Sequence, residues 1–147
     1  MIEIDGVKVL DMGEYTLSTD GTVAQSDAQN YVEVAQAYWT RSHVGEDGTV
    51  YATSIRLKLV ASRGDFRLTA CIPSICTTGL GAADLGGRNA YFSANQRKDT
   101  PAHEFGHMLG LNHQSASTQS IMSRSNERAV QLQDVSRIVN AYGRRRR

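Results

Sequence analysis

Apolar and polar residues alternate from the first residues of the chain. Ile2, Ile4, Val7 and Val9 are set against Glu3 and Lys8, with Asp5-Gly6 between the two halves. An Asp-Gly pair supplies the positive φ angles of a tight two-residue turn. The pattern predicts a short β-hairpin over 2–10, an edge feature rather than the centre of the fold. Residues 11–25 show no clear period, and Gly13 and Gly21 read as turn points. The period then lengthens. Ala28, Tyr31, Val32, Ala35, Tyr38 and Trp39 recur at three- and four-residue steps, which predicts a helix over 27–41 with one core-facing stripe. Ser26 and Gln29 have capping-box spacing at its start. The aromatics of the stripe read as core packing, and His43 as a helix-end or surface group.

Beyond a turn at 46–49, Ile55, Leu57 and Leu59 alternate with Arg56 and Lys58, the mark of a strand with one covered face. Gly64-Asp65 marks a turn, and 66–72 reads as a second strand ended by Pro73. The stretch 74–90, with Gly79, Gly81, Gly86 and Gly87, reads as an irregular loop, and 89–93 as a short strand. Thr100-Pro101 opens a helix, since threonine caps well and proline costs nothing at the first helical position. Gly110 closes it. Residues 112–126 are polar and turn-rich. Leu132, Val135, Ile138, Val139 and Tyr142 form a last amphipathic stripe that Gly143 stops.

Composition narrows the classes. With 147 residues, 40% hydrophobic and 21% charged, the chain suits one domain over 1–143, followed by a basic tail, Arg144 to Arg147. A net charge of +1 gives no case for nucleic acid or anionic membrane. The arginine tail reads as a frayed end or a junction. No apolar run approaches the roughly 18 residues of a membrane span, and the first residues lack the pattern of a secretory leader. Cys71 and Cys76 could close a small disulfide loop or stay as two thiols; without a second pair they do not make a thiolate metal site. No dense acidic calcium loop is visible.

The chemistry lies in the helix that follows Thr100. His103 and His107 are four residues apart, so both imidazoles stand on one helical face and two ring nitrogens can reach a single ion. Gly110 permits a left-handed turn that swings His113 in from outside the helix. Three neutral nitrogens with one position open define a catalytic rather than a closed zinc site. Glu104 points along another side of the helix, where it can reach a zinc-bound water and act as general base. The histidine pair alone is modest evidence. Adding Gly110 and His113 lowers the odds of coincidence by roughly a thousandfold.

The segment from His103 to His113 resembles the long zinc signature of the metzincin metallopeptidases, in their compact matrixin-like and serralysin-like forms. Ser120-Ile121-Met122-Ser123 is similar to their Met-turn. The resemblance implies His103, His107 and His113 as Zn2+ ligands, Glu104 as catalytic acid/base, and Met122 as a hydrophobic floor, with Gly110 supporting the turn to His113. It implies an α+β fold: a twisted, mostly parallel sheet with an antiparallel edge strand, an active-site helix and a C-terminal helix. On that pattern 89–93 is the edge strand, along which a protein or peptide substrate would bind extended. Asn140-Ala141-Tyr142-Gly143 resembles the family's closing helix end. The tyrosine that follows the Met-turn in astacin-like and serralysin-like relatives is missing, because Ser123, Arg124 and Ser125 follow Met122. The expected activity is zinc-dependent hydrolysis of peptide bonds by a monomer acting outside the producing cell, as in bacterial secreted or effector proteases. Alternatives are an amidase acting on cell-wall peptide and a silent binding module that has kept the fold.

Overall fold

The computed structural model describes residues 2–72, 76, 82–115, 118–123 and 128–145, and their side chains except for Ile2 and 139–145. Strands β1 (Ile2–Ile4) and β2 (Val7–Thr19) form the expected hairpin, with Asp5 and Gly6 at φ 50° and 81°. The hairpin is not a peripheral feature. β2 runs for 13 residues and lies in the middle of the sheet, parallel to both β4 (Val50–Leu59) and β5 (Phe66–Ala70). Gly13 is no turn point either. It sits in a bulge, where the register with β4 jumps from Asp11↔Ser54 to Glu14↔Arg56. Its φ of 94° suits glycine, and the Asp11 carboxylate accepts its N–H at 2.8 Å. The extra residue breaks the alternation that would otherwise betray one long strand.

Beyond β5 the sheet continues with β7 (Asn89–Phe92), parallel to β5, and ends in β6 (Ala82–Ala83), antiparallel to β7. β3 (Ser42–Val44) closes the other side, antiparallel to β4. The sheet is thus mixed and mostly parallel, as expected, but the antiparallel edge is elsewhere. Residues 89–93 are not the edge strand, because Ala90 and Tyr91 pair with β5 on one side and β6 on the other. Two alanines carry no period, so the true outer strand left no trace in the hydropathy pattern.

Helix α1 (Gln25–Trp39) buries Ala28, Tyr31, Val32, Ala35 and Trp39. It begins and ends two residues earlier than the stripe suggested. Ala24 is its cap with no side-chain bond, and Gln29 reaches forward to Glu33 rather than back to Ser26. The C-terminal end is cut short where the Thr53 hydroxyl, accepting Arg41 N–H at 3.1 Å, shares its one hydrogen between the Trp39 and Arg41 carbonyls, drawing the chain into β3. His43 therefore lies on a strand and is 8% exposed, not at a surface helix end. Helices α1 and α2 (Thr100–Met108) pack together on the sheet, where Tyr15, Phe66 and Phe105 meet at centroid distances of 5.7–5.9 Å. With one face covered, Ile55 is buried while Arg56 on the other face is exposed. Helix α3 (Leu132–Arg145) continues through Gly143 instead of stopping there. Cys71 and Cys76 are joined in a disulfide with Cα atoms 5.6 Å apart. Among the described residues, no helix is long and apolar enough to cross a membrane.

Candidate metal centre

Helix α2 carries the first two histidines and is fixed at both ends. Asp99 precedes it and Thr100 is already helical, so the threonine does not cap it; Pro101 lies in the first turn. The Trp39 indole N–H donates to the Ala102 carbonyl at 2.9 Å, tying the end of α1 to the start of α2. At the other end, Leu111 N–H bonds to the Gly106 carbonyl and Gly110 N–H to the His107 carbonyl, at 3.0 and 2.9 Å. With Gly110 at φ 94°, this is a Schellman ending, which reverses the chain and returns His113 toward the helix. Gln114 N–H then donates to the Met122 carbonyl at 3.0 Å, docking the His113 segment on the 120–123 turn.

The three imidazoles converge. Nε2 of His107 lies 3.1 Å from Nε2 of His103 and 3.1 Å from that of His113, and the His103–His113 separation is 3.3 Å. A tetrahedral ion with nitrogen ligands at about 2.0–2.1 Å sets its ligands about 3.3 Å apart, so the donor set fits zinc. The opposite ring edges are fixed by carbonyls. His103 Nδ1 lies 2.7 Å from the Ile121 oxygen, and His107 Nδ1 2.7 Å from the Leu111 oxygen. A carbonyl can only accept, so each Nδ1 carries the proton and each Nε2 presents its lone pair to the centre. Burial, and after it the nearby Arg128 charge, hold His103 down at about 3; burial also lowers His107. Both rings are neutral at pH 7, the form that binds metal.

Glu104 is 8% exposed, and burial pushes its carboxyl up to about 7, with Arg128 opposing. Among the described residues no side chain hydrogen-bonds its carboxylate, which leaves the group available to water. Met122 is fully buried under α2. A Cβ on Gly106 would collide with the Met122 sulfur and lie 3.2 Å from the Trp39 ring. That close approach accounts for a glycine inside a helix, where it is otherwise unfavourable. Gly106→Ala should therefore cost about 1–3 kcal/mol by overpacking, measurable by denaturant titration of the folded protein.

Sequence reasoning missed two anchors. Asp134 in α3 accepts the Ser120 hydroxyl at 2.6 Å and Gln131 N–H at 2.9 Å, while Ser120 Oγ accepts Met122 N–H at 3.0 Å. The carboxylate therefore holds the methionine turn from beneath. Arg128 pairs with Asp99 across 29 positions. Neither pairing has a local signature, although Asp134 sits where a first-turn acidic residue could have been read as a helix-start signal. Arg124 and Ser125, which follow the turn, lie outside the described residues.

The profile of the matrixin family matches residues 14–143. The chain belongs to the matrixin family. Matrixins are zinc-dependent metallopeptidases, a branch of the metzincins, and the mixed sheet with its few helices is a metzincin-like α+β fold. Among solved structures, the chain is similar to a structure of myroilysin, at 14% identity and a TM-score of 0.57, over 92% of this chain and 95% of that one. A second structure, a crystal structure of myroilysin, matches at 14% identity and a TM-score of 0.47, over 92% and 68%. A search of curated protein sequences finds no match. As a matrixin, this chain has three histidines close enough together to hold a metal ion.

Proposed function

We propose that this matrixin is a zinc endopeptidase, with His103, His107 and His113 as ligands and Glu104 as general base. The convergence of three Nε2 atoms within 3.3 Å, at the end of the helix that also carries a buried carboxyl, is the observation that supports it. When bound there, zinc supplies a Lewis acid that acidifies water and polarises a carbonyl. Glu104 takes the proton of the attacking water and passes it to the leaving amine, and its buried position beside the first ligand places it to do so. Met122 and Trp39 give the histidine-bearing helix an apolar support. An extended peptide lies along the outer strand β6, where among the described residues one backbone edge has no neighbouring strand.

Treatment with a strong chelator followed by zinc should abolish and then restore cleavage of a denatured protein substrate. Profiling the zinc-loaded protein on a peptide library should show internal cleavage. Metal-independent cleavage, or none by a folded, zinc-loaded protein, would count against the proposal.

A further inference from the structure

Arg128 is a charged side chain only 6% exposed, placed against a metal-site histidine, and the chemistry described above leaves it unused. Its guanidinium joins two segments. Nη2 donates to Asp99 Oδ1 at 2.9 Å, and Nε, 2.9 Å from Asp99 Oδ2, adds an ion pair without a hydrogen bond to the residue that precedes α2. Nη1 donates to the Ser123 carbonyl at 2.9 Å, at the end of the methionine turn. The same Nη1 lies 2.9 Å from His103 Nδ1.

These contacts are constrained by proton count. A guanidinium nitrogen only donates and a carbonyl only accepts. With the Nδ1–H directed at the Ile121 oxygen, Nδ1 offers Nη1 no lone pair, and one of the two Nη1 hydrogens goes to the Ser123 carbonyl. The alternative tautomer would let Nη1 donate to Nδ1, but it would place a proton on Nε2, among the other two ring nitrogens. The geometry therefore couples three things: the span from Asp99 to Ser123, the approach of His103 to Ile121, and the direction of the Nε2 lone pair. Asp99, just before α2, and His103 on it are one helical turn apart, and Ile121 and Ser123 belong to one turn. A two-pronged cation across those segments sets their separation. Lysine, a single point charge, cannot grip both.

Building on the zinc reading above, we propose that Arg128 is a positioning residue for the metal. Its fork, anchored on Asp99 and the Ser123 carbonyl, holds His103 on the Ile121 carbonyl with Nε2 facing the ion. Groups that orient metal ligands from behind typically alter metal affinity by about 10–100-fold when removed.

The test is zinc titration of the metal-free full chain against a competing chelator, together with the visible spectrum of the cobalt-substituted protein. Arg128→Met should weaken zinc binding by about 10–100-fold and distort the cobalt bands. Arg128→Lys should recover only part of the loss. If Arg128→Met does not fold, Asp99→Asn, which leaves the guanidinium but loosens its anchor, decides the matter by a smaller weakening in the same direction. Ile55→Val, a core change away from the site, should lower stability and leave zinc affinity within about twofold. Unchanged or tighter zinc binding in Arg128→Met, or in Asp99→Asn where that variant is the one that folds, overturns the proposal. Failure of the unmodified protein to bind zinc would instead overturn the metal site itself.

Discussion

Glu104→Gln should bind zinc stoichiometrically yet cleave a denatured protein substrate about 10²–10⁴-fold more slowly, the usual contribution of a general base. The amide keeps the shape of the carboxyl and loses its ability to take a proton. The variant also carries a stability signature that is independent of catalysis. In the metal-free protein the folded carboxyl titrates near 7, against 4.5 ordinarily. Between those values the folded state holds a proton that the unfolded chain has released. Stability therefore falls as pH rises through that window, and the loss is complete above about 7. Glutamine has no such loss. Metal-free Glu104→Gln should exceed the metal-free parent at pH 8 by on the order of 2–3 kcal/mol, with the gap closing below pH 4.5. Equal cleavage by variant and parent would remove Glu104 from the mechanism. A gap that does not change with pH would show that the carboxyl is not held in a desolvating site.

Asp134→Ala should be among the most damaging changes outside the histidines. The carboxylate is fully buried and accepts two bonds, from the Ser120 hydroxyl and Gln131 N–H. Bonds to a charged acceptor are each stronger than neutral ones, and their buried donors would be left unpaired. The expected loss is about 3–4 kcal/mol, or roughly a 10 °C fall in melting temperature for a domain of this size. Because Ser120 also orients Met122 N–H, zinc affinity should fall as well. Calorimetry of the zinc-loaded and metal-free proteins checks both points. A fall of less than about 1 kcal/mol would mean that the turn does not depend on α3 for its shape.

What the sequence made legible was local. Four-residue spacing places His103 and His107 together, and Gly110 announces the reversal that returns His113; both follow from neighbours along the chain. The stripe of α1 and the alternation of β4 were visible because each element is long enough to repeat its period. Other features escaped for physical reasons. The bulge at Gly13 cut the pattern of β2 in two, so the central strand looked like a small hairpin. β6 is two alanines, too short to show alternation, so the edge was assigned to its neighbour. The spacing of Ser26 and Gln29 suited a capping box, but the helix begins one residue before Ser26 and Gln29 bonds to Glu33. Arg128 with Asp99, and Asp134 with Ser120, lie far apart in sequence or across an irregular loop, where no period connects them.

The proposed chemistry depends on a single ion shared by two segments of backbone. Crystals of the zinc-loaded protein, with diffraction recorded on either side of the zinc absorption edge, test that most directly. One anomalous peak about 2.0–2.1 Å from the Nε2 atoms of His103, His107 and His113 is the predicted result. A peak held by the two helical histidines with His113 turned away, or no peak among the three rings, would contradict it.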